Sequence, residues 1–337
     1  MKRRVLLILI LSAIAGCTDK AGMEKTMTTT INDKTTHCFG HSLIDLPSDF
    51  YLMDGSSGSF TPAGTTKASE KVDVTLVSSS ASEQGFLQYI AKRRAEIALH
   101  EKKETGRLSA DRASSDTVHL FTVNKIEDAY TSELLVLLGK YLLSLRTDSY
   151  KNTSAAAEKR LADFAAQIKV GDPAVNGGTG YCMGAVRISG NFTGESSTAN
   201  YRSHKMPDVV FGIEIDSFAP DESTTLLQRV DGPDSLLRKF DVKNHVLRKG
   251  ELQVASMKAQ EWLSWVVLGD GEAKQKQYGF ALETMRPVPS PAQPHIHLEL
   301  DSGQPDEKNN QHANSLSDAD AIALWDYVSR SIRMRMP

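Results

Sequence analysis

Cys38-Phe39-Gly40 runs into the alternating segment Leu43-Ile44-Asp45-Leu46-Pro47, and Cys182-Met183-Gly184 runs into Val186-Arg187-Ile188-Ser189-Gly190. Each passage is a Cys-x-Gly leading into a strand-like alternation of period two. A polar, Ser/Gly/Thr-rich connection follows each, and then a second strand: Val72–Val77 in the first half, Val209–Ile215 in the second. The two sets stand about 140 residues apart. This shared grammar predicts an α+β fold of two similar domains, a duplicated unit of antiparallel β-sheet packed with helices. The expected bodies are residues 37–171 and 181–337, joined by a Gly- and Pro-bearing linker over 172–180.

The rest of the chain fills in this plan. Ser82–His100 reads as a helix, with Phe86, Ile90 and Ile97 at helical spacing. Val118–Val123 and Leu134–Leu145 read as strands, and 152–168 as a second helix with Leu161, Phe164, Ala165 and Ile168 on one stripe. A short helical segment around Ser223–Arg229 opens a run of strands. Gly269-Asp270-Gly271 separates Trp262–Leu268 from Tyr278–Glu283 as a hairpin turn would. Ser317 and Asp320 mark the start of a last helix, whose buried stripe is Ile322, Trp325, Val328 and Ile332. The polar stretches Asp54–Lys67 and Gly190–Lys205 occupy equivalent positions and read as surface loops, where recognition is often carried. Trp262, Trp265 and Trp325 have the chemistry of interface anchors, but their regular placement on strands and a helix favours the core.

The amino terminus sets the compartment. Lys2, Arg3 and Arg4 precede the apolar run Val5–Leu11 and the small residues up to Gly16, the layout of a secretory signal. The run is too short to span a bilayer, which takes about 20 residues. Ile14-Ala15-Gly16-Cys17 resembles the bacterial lipobox, which implies a signal peptide over 1–17 and acylation of Cys17. Thr18 after the cysteine implies the outer rather than the inner membrane. Residues 18–36 lack an apolar period and read as a flexible tether. That leaves Cys38 and Cys182, and two cysteines in an oxidising compartment invite a disulfide, with two buried free thiols as the alternative. A hydrophobic content of 40% and a charged content of 24% are those of a globular protein. The net charge of −3 offers no basic surface for nucleic acid.

Chemistry-bearing motifs are few. Gly55-Ser56-Ser57-Gly58-Ser59 lacks the spacing of a nucleophile elbow, and neither a phosphate-binding loop nor a dinucleotide fingerprint is present. His295, His297 and Glu299 share one face of a strand and could offer three metal donors. A solvated strand face beside a Pro-rich loop accounts for them as well. No catalytic, metal or cofactor-binding residue is therefore assigned, and no cofactor is expected.

Several further stretches carry a resemblance by their order and spacing. They are Cys38–Pro47, Gly180-Tyr181-Cys182, Leu247-Arg248-Lys249-Gly250, Gln260-Glu261-Trp262, Leu324-Trp325-Asp326 and Ser331-Ile332-Arg333. Together they resemble the two-domain Tle-cognate immunity family, which protects bacteria from type VI secretion lipase effectors. The resemblance implies a periplasmic, lipid-anchored protein without enzymatic activity. Such a protein binds a cognate phospholipase toxin and keeps its active site covered, for example by gripping its lid from two sides. A structural or assembly lipoprotein of the cell envelope, or a hydrolase with a scattered site, are the other classes open to this sequence.

Overall fold

The computed structural model describes residues 33–335, except 66–69, 104, 172–178, 219–223, 234, 236–238, 240–242, 269–273, 286–289, 307, 309 and 311. The segment 1–17 with Cys17, most of 18–36, most of 172–180 and Gly269-Asp270-Gly271 lie outside the described residues.

The first half contains β1 (Lys34–Gly40), β2 (Ser42–Pro47), β3 (Phe50–Leu52), β4 (Ser57–Pro62), β5 (Val72–Ser78), α1 (Glu83–Lys102), β6 (Arg107–Ser115), β7 (Val118–Ile126), β8 (Ala129–Leu138), β9 (Tyr141–Tyr150), α2 (Ser154–Ala165) and β10 (Ile168–Val170). The second contains β11 (Tyr181–Met183), β12 (Val186–Ile188), β13 (Phe192–Ser203), β14 (Val210–Asp216), α3 (Leu226–Asp231), β15 (Asn244–Val254), β16 (Met257–Leu268), β17 (Gln275–Thr284), β18 (His295–Asp301), α4 (Asp318–Ser331) and β19 (Arg333–Met334). The strands pair antiparallel. They form a six-stranded sheet, ordered β10-β12-β11-β1-β2-β19, and a thirteen-stranded sheet. The long sheet runs β15-β16-β17-β18-β14-β13-β4-β5-β9-β8-β7-β6, with β3 paired onto β13.

Both orders repeat outward from their middles. In the short sheet β1 and β11 are central, flanked by β2 and β12 and then by β19 and β10. In the long sheet β4 and β13 are central, flanked by β5 and β14 and then by two four-stranded meanders. The halves thus share one element order about a pseudo-twofold axis. The register places that axis at Phe39 and Met183, the middle residues of the two Cys-x-Gly passages, which lie directly opposite each other. The turns out of β1 and β11 are made at Gly40 (φ +58°) and Gly184 (φ +61°), a left-handed backbone that glycine enters without a Cβ clash. The halves share both sheets and exchange their last strands: β10 pairs with β12, and β19 with β2.

The core lies between the two sheets. On one side Phe39, Ile44 and Leu46 meet Tyr201, Phe211, Ile213 and Leu298, closed by Leu324, Trp325 and Val328 of α4. On the other, Phe60, Val74 and Leu145 meet Tyr181, Met183 and Ile188, closed by Leu161 and Phe164 of α2. Each such side chain contributes roughly 1.5–3 kcal/mol on burial. Along β7, Leu120 joins this core while its neighbour Phe121 packs with Phe86, Ile90 and Ile97 of α1. Neighbouring strand residues face opposite ways, so α1 covers the far face of the long sheet.

Several expectations change. The stretch Leu134–Leu145 spans the β8–β9 hairpin, turning at Gly139 (φ +59°). The short helix starts after Thr225, and Ile168 belongs to β10 rather than to α2. Both stretches read as loops contain strand: Asp54–Lys67 holds the 6-residue β4, and Gly190–Lys205 is mostly the 12-residue β13. Near the axis the two sheets lie close, so inward positions of β13 are filled by Ser197 and Ala199 rather than by large apolar residues. Ser197 meets the Tyr181 hydroxyl at 2.5 Å. Hydrophobic alternation was therefore missing where the strand is most central.

Candidate protein-binding face

Cys38 and Cys182 form a disulfide, with Cα atoms 5.6 Å apart and a sequence separation of 144. They are the same position of the repeated passage, and two copies of one residue beside a twofold axis face each other. Arg335 lies against the bridge, its Nη1 3.2 Å from Cys38 Sγ and 2.8 Å from Cys182 Sγ, while Nη2 donates to the Gly180 carbonyl. Burial, with the nearby Arg187 charge, lowers the Arg335 pKa. His41 Nε2 reaches Glu195 Oε2 at 2.8 Å across the sheets. This centre joins the halves and is closed by its own contacts.

Two of the three tryptophans are buried. Trp325 is fully buried on α4 and donates to Glu261 Oε2 at 3.1 Å. Glu261, itself buried, also holds Arg330 Nη2 at 3.0 Å, and Arg248 Nε lies 2.8 Å from its Oε1. Arg248 turns its Nη1 to Asp326 at 2.9 Å. Trp262 is buried beside Lys249 and donates to Ser264 Oγ. Trp265 is the half-buried one, stacked on His245 at 3.8 Å with Lys276 over its ring. The Ser56–Ser59 run is structural: Ser56 bonds the Met53 carbonyl and Ser59 donates to Asp73.

The remaining polar side chains collect on one surface. Register fixes three rows across β13, β14, β18, β17 and β16, all on the face that α1 covers in the first half. They are Thr198–Glu214–His297–Glu283–Gln260, Asn200–Gly212–Glu299–Ala281–Trp262 and Arg202–Val210–Asp301–Gly279–Ser264. Among the described residues of the connection from β14 to β15, α3 packs at the rim of this face. Its Leu227 N–H donates to Gln260 Oε1 at 3.1 Å, and Arg229 pairs with Glu283. Between α1 and α3 lies a polar sheet floor roughly 20–25 Å wide, at about 4.8 Å per strand.

His297 is the centre of this floor. Its Nδ1 lies 2.9 Å from Glu283 Oε1 and its Nε2 2.8 Å from Glu299 Oε1. Burial works against charge on the ring, but the bonds to Glu283 and Glu299 win and lift its pKa to about 9. Burial would likewise raise Glu283; hydrogen bonds from His297 and Arg229 hold it at about 2. Asp301 is pushed up to about 6 by burial and then by the Glu299 charge. His295, His297 and Glu299 do share a face, but both His297 nitrogens are engaged by carboxylates. Among the described residues no group of three or more His, Cys, Asp or Glu side chains could hold a metal ion. Glu214, Gly212, Gly279 and Asp301 were not singled out by sequence reasoning, because only strand register brings them together.

Comparison with known proteins follows this geometry. Residues 175–337 match the family described as the Tle cognate immunity protein 4 C-terminal domain, a match that begins inside the 172–180 segment. Among solved structures, a chain of the Tle4–Tli4 complex is similar at 20% identity and TM-score 0.62, over 90% of this chain and 98% of that one. The T6SS immunity protein TplEi from Pseudomonas aeruginosa, complexed with "L" peptide, is similar at 21% identity and TM-score 0.58, over 90% and 99% of the two chains. Its apo structure gives 21% identity and TM-score 0.59, over 90% and 97%. At these identities the likeness is one of fold. No curated protein matches the chain.

Proposed function

We propose, on the premise that residues 175–337 belong to the Tle cognate immunity protein 4 C-terminal domain family, that this chain is an immunity protein that binds a type VI secretion phospholipase effector and keeps it inactive. The observation that carries this reading is the family match together with a fold shared over 97–99% of the TplEi chains and 98% of the Tle4–Tli4 chain. The architecture suits the task. Shared sheets and a disulfide across the axis make a stiff frame, so little binding energy is lost to ordering it. A preference of about 5.5 kcal/mol for the closed effector would move it from about 1% to about 99% closed.

Three of the buried acids are held by arginine. Glu261, Glu133 and Glu283 are each neutralised by arginine, with Arg93 and Arg146 on Glu133, rather than poised as a free acid or base. In this reading the chain has no activity of its own, works in the periplasm and is held at the membrane through acylated Cys17. No helix among the described residues is long and apolar enough to cross a membrane. Titrating the mature chain into the phospholipase delivered by the same bacterium tests the proposal. Activity should fall in step with a stable 1:1 complex. Full activity with the chain in excess, and no complex on size exclusion, would sink the reading. Cys17→Ala should move the protein from the membrane to the soluble fraction.

A further inference from the structure

We propose that the Cys38–Cys182 bridge is redox-active rather than inert, and that Arg335 is the positioning residue that makes it so, by pairing with the Cys182 thiolate that reduction releases. This inference does not rest on the immunity reading.

Arg335 is a cation set against sulfur. Its Nη1 lies 2.8 Å from Cys182 Sγ and 3.2 Å from Cys38 Sγ, and its Nη2 donates to the Gly180 carbonyl. Its Nε is buried without a hydrogen-bond partner. Among the described residues no carboxylate pairs with Arg335, whereas Arg248, Arg330 and Arg333 each hold one. The charge that acts on it is another cation, Arg187, which lies opposite Cys182 across β11 and β12. A half-buried cation without a counter-ion is costly. A disulfide sulfur is neutral and accepts weakly; a thiolate in its place is an anion that satisfies the guanidinium. Arg335 therefore favours the reduced pair over the bridge, and that difference raises the reduction potential.

The reductant is a dithiol. Cys38 forms part of the wall of a cavity of about 250 Å³, beside Thr36, His37 and Tyr141, and Cys182 does not line it. One dithiol thiolate, its proton lost to water, attacks Cys38 Sγ. The S–S bond breaks, a mixed disulfide forms on Cys38, and the electron pair goes to Cys182 Sγ, the sulfur nearer Arg335. A sulfur stabilised as an anion leaves faster. The second dithiol sulfur then loses its proton and displaces Cys38, which takes up a proton from water. The protein ends with a Cys182 thiolate and a Cys38 thiol, and the dithiol ends as its own disulfide. Because the halves share both sheets, reduction frees the tie between them without parting them.

The test turns on a sign. The mature chain is equilibrated with mixtures of reduced and oxidised dithiothreitol, and its free thiols are counted by mass after alkylation. Arg335→Gln should make the bridge harder to reduce, lowering the equilibrium constant about tenfold, which is about 30 mV for a two-electron couple. Arg335→Met, which keeps an apolar stem, should do the same, and Arg335→Lys should stay near wild type. An arginine that merely packs on the bridge predicts the opposite, since its loss would loosen the bridge and make it easier to reduce. Arg333→Gln, which removes the partner of Asp45 from the same strand, should match wild type. An unchanged or raised constant in Arg335→Gln and Arg335→Met, or an equal fall in Arg333→Gln, would overturn the assignment.

Discussion

Glu283, His297 and Asp301 give the floor a pH signature with opposing signs. Glu283 titrates at about 2 instead of 4.5, so its contribution to stability is complete above pH 4.5 and is lost as pH falls through 2. His297 titrates at about 9 instead of 6.5, so its contribution is complete below pH 6.5 and is lost as pH rises through 9. The groups facing it are Glu283, Glu299, Glu214 across the strand pair, and Arg229 beyond Glu283. Asp301 works the other way: with a pKa raised from 3.8 to about 6, its ionisation costs stability as pH climbs through that window. Asp301→Asn should therefore raise stability at pH 7 by about 1–3 kcal/mol and leave it unchanged at pH 3. Thermal unfolding of both proteins at the two pH values checks this. His297→Gln should lower the melting temperature at pH 6 and have no effect at pH 10.

Among the elements, α4 depends on one buried carboxylate. Glu261 on β16 receives Trp325 and Arg330 from α4 and lies against Arg248 from β15. Glu261→Ala would leave the Trp325 indole N–H without its acceptor and Arg248 and Arg330 with Asp326 alone as carboxylate partner. The expected loss is about 3–5 kcal/mol, read from the denaturant midpoint. The helices were the legible elements, because Ser82 and Ser317 cap them and their apolar stripes are local. The β16–β17 hairpin and β18 were legible from period-two alternation. β4 and β13 were not, since Ser57, Ser59, Ser197 and Ala199 carry the composition of a loop and become strand only by pairing across the axis. The candidate site was legible in part. The alternation placed His295, His297 and Glu299 on one face, but their partners Glu283 and Glu214 belong to strands whose adjacency no local pattern states.

At the scale of the molecule, the repeated Cys-x-Gly passage predicted two similar halves, while the bridge was read from two cysteines in an oxidising compartment, with free thiols as the alternative. It did not foretell that the halves would share both sheets. The bridge closes a loop of 144 residues, worth at most roughly 4–5 kcal/mol in the chain-entropy account. Cys182→Ser should lower the melting temperature under oxidising conditions. Reductant should lower the wild type to the same value and leave the variant unchanged; equal wild-type melting with and without reductant would refute the contribution.

The exchange of last strands has a consequence in time. β2 is made early in synthesis, yet its outer neighbour is Arg333–Met334, whereas β12 finds its outer neighbour β10 already made. Until residues 333 and 334 are in place, the first half keeps a bare hydrogen-bonding edge on β2. Contacts of such long sequence separation make for slow folding, and an unpaired edge is a template for aggregation. A product stopped just short of residue 333 would thus leave the outer edge of β2 open to pairing with another chain.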